Sequence, residues 1–244
     1  MGEPVSFIVP TGNFGDILAG YLAKESGLPV KKLICASNSN NVLTDFLKTG
    51  TYSIERGFKT TMSPSMDILI SSNLERLLFM MSGYDDELVK ECMEKLQKEK
   101  TYTIPSSLLK KIQEVFAGYW TSEEECAKTI YDTYKESNVL IDPHTSVALS
   151  VCKKYQSEGN QEPCVILSTA SAYKFSKDVL EALHVESADG FDAMHTLHKI
   201  TGVPIPANLQ ALEDLPVRFT RSIEKSQAMD VIAERMKEIG HDHH

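Results

Sequence analysis

Gly12-Asn13-Phe14-Gly15 is the stretch around which the chemistry of this chain is organised. An apolar run from Val5 to Val9 precedes it, and Ile17, Leu18, Tyr21 and Leu22 follow at helical spacing. The pattern predicts a strand, a tight loop and a helix. A helix start leaves about four backbone N–H groups unpaired and carries about half a positive charge, so it suits a phosphate. Gly12 and Gly15 are expected to bring the backbone close to an anion at positive φ, with Asn13 adding an amide donor. A strand-to-helix turn that binds nothing fits the spacing equally, since neither a full G-x-G-x-x-G nor a Gly-Lys-Ser/Thr is present.

Other chemistry-bearing residues fall at comparable junctions. Asn38, Asn40 and Asn41 precede a helix predicted over Val42 to Lys48; they fit N-caps, and three exceed what one cap requires, so Asn38 is a candidate to face a ligand. Thr169 closes the apolar run from Cys164, at a strand's carboxyl end, with Lys174 just before a helix predicted from Ser176. Asp142-Pro-His-Thr145 reads as a turn with Asp142 or Thr145 as cap, or His144 as a proton carrier. His195 and His198 have a helical spacing that suits a metal, with no acidic or cysteine partner placed to complete a site.

These junctions need a scaffold. Gly27-Leu-Pro29 stops the first helix, and Val30 to Ala36 is a second strand, which implies a parallel βαβ unit whose ligands sit at the carboxyl ends of its strands. Thr51 to Ile70 is polar and irregular, with Met62-Ser-Pro-Ser-Met-Asp67 its most distinctive string. From Ser72 to Lys135 apolar stripes (Leu74, Leu77, Leu78, Met81; Leu88, Cys92, Leu96; Leu108, Leu109, Ile112, Val115, Phe116) predict helices, with Ala117-Gly-Tyr-Trp120 as a turn. A strand-to-helix junction is expected at Val139 to Ser146, and a last amphipathic helix carries Ile223, Met229, Ile232 and Met236.

The 244 residues are enough for one domain with an appendage, and 42% hydrophobic with 24% charged residues is ordinary globular composition. A net charge of −9 argues against nucleic acid as partner. No apolar run approaches the roughly 20 residues of a membrane span and no secretory segment opens the chain, so no membrane partner and a cytoplasmic location are expected. Cys35, Cys92, Cys126, Cys152 and Cys164 form no C-x-x-C pair and read as buried thiols. His241, His243 and His244 read as an exposed tail.

Pro10-Thr-Gly-Asn-Phe-Gly-Asp16, with Ala19, Gly20 and Ala23 following, resembles the cofactor-phosphate loop of threonine synthases, pyridoxal phosphate enzymes related to tryptophan synthase β. The strings at Asn38 to Asn40, Ser63 to Asp67, Asp142 to Thr145, Thr169 to Phe175 and Gly202 to Pro206 are similar to segments of the same family, with Ala172 in place of the usual proline. The resemblance implies an α/β fold: a partial parallel sheet flanked by helices, tryptophan synthase β-like, with a helical insertion and C-terminal helices. Its divisions would be 1–70 (cofactor phosphate), 71–135 (insertion) and 136–244 (the rest of the α/β domain and the C-terminal helices).

It implies pyridoxal 5′-phosphate as cofactor, held at its phosphate by Gly12, Asn13, Phe14 and Gly15, Phe14 mainly fixing the loop, and at its pyridine nitrogen by Thr169. Asn38 and Lys174 are the candidates on the substrate side, Lys174 otherwise being a surface cation. The implied reaction converts O-phospho-L-homoserine and water to L-threonine and phosphate. The family's cofactor-holding lysine lies well upstream of the loop, so the chain matches the C-terminal half of a full enzyme; the N-terminal half is the expected partner, and little or no turnover is expected from this half alone. A related pyridoxal phosphate-dependent phospho-lyase or dehydratase, and a non-catalytic binding module, stay open.

Overall fold

A computed structural model describes residues 2–186 and 189–241. Among the described residues the strands are β1 (Val5–Pro10), β2 (Val30–Ser37), β3 (Thr51–Ser53), β4 (Thr101–Thr103), β5 (Phe116–Trp120) and β6 (Cys164–Ile166), interspersed with helices. The helices are α1 (Gly15–Glu25), α2 (Val42–Thr49), α3 (Leu74–Met81), α4 (Asp86–Glu99), α5 (Ser106–Val115), α6 (Glu123–Ser137), α7 (Pro143–Ser157), α8 (Ser176–Ala182), α9 (Gly190–Thr201), α10 (Ala207–Gln210) and α11 (Ala228–His241). His243 and His244 lie outside the described residues.

Two compact units result, Met1–Pro206 and Ala207–His244. In the first, a parallel sheet runs in the order β5-β2-β1-β6, while β3 and β4 form a separate antiparallel pair. Helices cover both sheet faces, so alternate residues of one strand enter different cores, as a buried parallel sheet requires. Val9, Leu33 and Cys35 pack with α1 to α5 through Ile17, Phe46, Leu77 and Ile112. Ile8, Ile34 and Ala36 pack with α6 and α7 through Cys126, Val147 and Val151. In the second unit Met229, Ile232 and Met236 of α11 are exposed.

Two local expectations are corrected. Ala117 to Trp120 is no turn: Phe116–Trp120 is β5, parallel to β2 from Leu33↔Phe116 to Ser37↔Trp120. The stretch expected as a wholly helical insertion therefore supplies an edge of the sheet. It fits because Gly118 lets α2 close in, a Cβ there falling 2.9 Å from the Cα of Thr44. Val139 to Ile141 forms no strand; Val139 is half exposed, and Asp142 directly caps α7, accepting the His144 N–H at 2.9 Å.

The cysteines carry free thiols; Cys35, Cys92, Cys126 and Cys152 are buried. Among the described residues no helix is long and apolar enough to cross a membrane. His198 places Nδ1 2.7 Å from the Val203 carbonyl.

Candidate functional site

The carboxyl ends of β1 and β2 are pinned first: the Thr11 N–H donates to the Ala36 carbonyl at 2.9 Å, and the Thr11 hydroxyl folds back onto the Val9 carbonyl at 2.6 Å. The loop beyond is held by its carbonyl oxygens. Ser71 Oγ donates to Gly12 O at 2.9 Å, and both the N–H and Nδ2 of Asn73 donate to Asn13 O at 3.0 Å. Ser71 is fixed in turn by Tyr52, whose hydroxyl accepts the Ser71 N–H and donates to Leu69 O, each at 2.8 Å. Burial pushes the Tyr52 phenol up to about 12, so it keeps the proton it donates.

With the carbonyls drawn inward, the amides are left over. Among the described residues, the N–H groups of Gly12, Asn13, Phe14, Asp16 and Ile17 have no protein acceptor, at the start of α1 where the helix dipole is positive. That donor set fits a phosphate. Asn13 differs from expectation: its side chain acts as acceptor, Oδ1 taking the Gly15 N–H at 2.9 Å.

Positive φ was expected at the glycines and falls on Phe14 instead, at φ 66°. Gly15 is the first helical residue and needs negative φ. Gly12 is needed for clearance, since a Cβ there meets Ser65 O at 2.8 Å and Met66 Cα at 3.1 Å. Phe14 holds the costly conformation because its ring is fully buried, 5.6 Å from the Phe116 ring. Left-handed backbone costs about 1–2 kcal/mol; burying a phenylalanine returns about 1.5–3 kcal/mol.

Thr169 leaves the sheet beside this loop. β6 pairs with β1 up to Ile8↔Ile166, and the Leu167 N–H continues the ladder to Ile8 O at 3.0 Å. Adjacent strands lie about 4.7–4.9 Å apart, so Gly12 and Thr169 emerge at one edge. Thr169 is exposed, and its hydroxyl makes no hydrogen bond among the described residues. Lys174 is exposed in the turn Ala172–Phe175, its Nζ 5.9 Å from the Phe175 ring centre and paired with no carboxylate among the described residues.

Asn38 sits at the carboxyl end beyond β2 and is 1% exposed. Its amide nitrogen lies within 3.0 Å of Thr61 Oγ1, Ser63 Oγ and Asp67 Oδ1, and its oxygen accepts the Asn40 N–H at 2.9 Å. Asn40 reinforces the lock, bonding Lys59 and Asp67. None of this caps α2: the N-cap is Asn41, without a side-chain cap bond. The structure thus gives the Asn38 amide to the 59–67 segment, whose Ser65 and Met66 press on Gly12.

One group escaped the sequence reading as a unit. Asp142, His144 and Thr145 are all buried. His144 Nδ1 lies 2.9 Å from Asp142 Oδ1, while His144 Nε2 accepts the Ser65 N–H at 3.2 Å. A ring nitrogen that accepts carries no hydrogen, so His144 is the Nδ1–H tautomer and Asp142 its acceptor. Thr145 donates to the other Asp142 oxygen and lies 3.1 Å from Ser168 Oγ. Burial opposes the charge of Asp142, but the bonds from the His144 ring, Thr145 and the His144 N–H hold its carboxyl below the usual value. The Asp-Pro-His-Thr string was the available signal; its partners lie too far along the chain to be read from it.

Two cavities among the described residues lie elsewhere. A groove of about 720 Å³ is lined by Leu18, Leu22, Phe79 and Met93, and one of about 600 Å³ by Met62, Glu123, Tyr131 and His184. The cup is an open shelf on the sheet edge, with Asn13, Asp16 and Thr169 exposed.

Comparison with known proteins places this arrangement. The family described as "Threonine synthase, C-terminal" matches residues 145–232. Human threonine synthase-like 1 is 45% identical over 186 residues, covering 76% of this chain and 25% of the relative. The yeast threonine synthase crystal structure superposes with a TM-score of 0.82 at 32% identity, over 96% of this chain and 48% of that one. A Brucella melitensis threonine synthase, described as bound to PLP, gives a TM-score of 0.71 at 40% identity, over 79% of this chain and 42% of that one. The chain spans from a quarter to about half the length of these relatives. It belongs to the threonine synthase family, among the fold type II pyridoxal phosphate enzymes, and corresponds to that family's C-terminal portion.

Proposed function

We propose that this chain supplies the phosphate cup and the ring-nitrogen partner for pyridoxal 5′-phosphate in the threonine synthase reaction, in which O-phospho-L-homoserine and water give L-threonine and phosphate. One observation carries the reading: the Gly12–Ile17 loop turns the Gly12 and Asn13 carbonyls inward and, among the described residues, leaves five N–H groups without an acceptor, beside the adjacent strand's Thr169 hydroxyl, which bonds to none of those residues.

When bound, the cofactor withdraws electrons from the amino acid it carries, which supports elimination and replacement. The Gly12, Asn13, Phe14, Asp16 and Ile17 amides bind its phosphate, and the buried Phe14 ring keeps them aligned. The Thr169 hydroxyl meets the pyridine nitrogen. Being neutral, it does not hold a proton there as a carboxylate would, so electron withdrawal is milder, as Cβ and Cγ chemistry needs. Lys174 is placed to meet an anionic group of the substrate. Asn38 acts by fixing the 59–67 segment behind Gly12. The lysine that holds the cofactor's aldehyde, and the wall that closes the open shelf, come from the N-terminal half of the same enzyme, a cytoplasmic protein.

The test is to incubate the full-length enzyme with O-phospho-L-homoserine and assay products. Threonine with one phosphate released supports the reading. Phosphate with a keto acid and no threonine reassigns the protein to a phospho-lyase, and no binding of pyridoxal 5′-phosphate reduces it to a non-catalytic module.

A further inference from the structure

Two walls of the proposed site, the Gly12 loop and the Thr169 strand exit, belong to segments more than a hundred residues apart, and both are tied to the first turn of α7. His144 Nε2 takes the Ser65 N–H at 3.2 Å, and Ser65 O is the atom against which Gly12 rests, with no room for a methyl between them. One residue on, Thr145 Oγ1 lies 3.1 Å from Ser168 Oγ, next to Thr169. Asp142 binds both residues, His144 Nδ1 through one carboxylate oxygen and Thr145 Oγ1 through the other. The Phe175 ring packs on the imidazole at 4.8 Å between centres, which adds the turn carrying Lys174 to the assembly.

We propose that His144 and Thr145, held by Asp142, are positioning residues that set the separation between the phosphate cup and the ring-nitrogen hydroxyl, His144 acting on Gly12 through Ser65 and Thr145 acting on Thr169 through Ser168. The inference rests on the cofactor reading above for what the two walls bind, but not for their mechanical coupling. The turn has no free proton to exchange: the hydrogen on His144 Nδ1 goes to Asp142 and Nε2 is occupied by a backbone N–H. A role in proton transfer is not what this geometry serves. Both residues are too buried to touch a substrate, at 3% and 6% exposure.

The two arms give different signatures. His144→Leu removes the acceptor for Ser65 and should loosen the cup, weakening inorganic phosphate and pyridoxal 5′-phosphate alike by roughly tenfold, the weight of about one hydrogen bond. His144→Gln places an oxygen near the Nε2 position and should restore most of that loss. Thr145→Val releases Ser168 and one Asp142 oxygen but leaves the His144 bonds to Asp142 Oδ1 and the Ser65 N–H in place, so it should weaken pyridoxal 5′-phosphate more than inorganic phosphate.

The experiment measures both ligands by calorimetry on the whole chain and follows amide hydrogen exchange at Ser65 and at Asn73, whose N–H holds the cup through Asn13 O. Ile130→Ala, which opens a cavity at a fully buried residue of α6, serves as a destabilised control. The proposal stands if His144→Leu loses both affinities, raises exchange at both amides and is rescued by Gln, while Ile130→Ala does neither. It is overturned if His144→Leu leaves exchange at Asn73 unchanged, or if Ile130→Ala lowers the affinities as much. If the wild-type chain binds neither ligand, the cofactor reading falls; the coupling is then decided by exchange alone, a rise at Asn73 in His144→Leu upholding it and no rise rejecting it.

Discussion

Ile8 stands in parallel register with Ile166, and from that pair the two strands run on to Thr11 and Thr169 at one edge of the sheet. Their loops are thereby neighbours despite the length of chain between them. A phosphate-sized donor set on one side and a single hydroxyl on the other suit a small cofactor with an anionic tail and a heteroaromatic ring.

Gly12→Ala is expected to destabilise the chain by about 1–3 kcal/mol, the cost of overpacking against unyielding backbone. The added methyl meets Ser65 O and Met66 Cα, neither of which is a flexible side-chain tip. Thermal melting should show the loss, and phosphate affinity should fall with it.

Phe14 offers a reversal of the usual ranking. In regular secondary structure glycine is less stable than alanine, but at a φ of 66° the Cβ itself is strained. Phe14→Ala should cost about 3–5 kcal/mol through the lost ring, and Phe14→Gly about 1 kcal/mol less than that because the strain is relieved. Denaturant unfolding of the two variants checks the order; an alanine variant more stable than the glycine one contradicts it.

Thr169→Val removes an exposed hydroxyl that supports no protein hydrogen bond among the described residues, so stability should change by less than about 0.5 kcal/mol. Affinity for pyridoxal 5′-phosphate should drop, while inorganic phosphate binds as before. A melting curve and the two titrations separate these effects.

How much of this was legible in the sequence depended on how local the cause was. β1, α1, β2 and α2 were readable because each has an apolar period and a stop signal, such as Gly27 or Gly50, the latter at φ 76° just after α2. β5 was not, because Phe116 follows Val115 of α5 with no breaking residue and completes its apolar stripe. The aromatics Phe116, Tyr119 and Trp120 were the overlooked strand signal. The Asn38 lock was invisible for a different reason: its partners Thr61, Ser63 and Asp67 come from a stretch without periodicity, and capping is the default for an asparagine before a helix.

Glu123 should make stability depend on pH. One carboxylate oxygen accepts the Met62 N–H at 2.8 Å, and the other is buried without a partner among the described residues. Burial raises its pKa, aided by the charges of Asp67 and Asp178 against the opposing Met62 bond. An acid whose pKa is raised on folding destabilises the fold when ionised: the penalty is full above the raised value and disappears as pH falls below the unfolded one. Glu123→Gln should therefore melt higher than wild type at about pH 8, with the gap closing toward about pH 4. A gap that widens on acidification contradicts the assignment.

The central claim, that one cofactor is gripped at its phosphate by the opening loop and at its ring by Thr169, is tested most directly by amide NMR of the chain titrated with pyridoxal 5′-phosphate. The amides of Gly12, Asn13, Phe14, Asp16 and Ile17 and those around Thr169 should shift together along one saturation curve, with inorganic phosphate moving only the first group. Shifts confined to one of the two segments, or two curves with separate midpoints, would contradict the account.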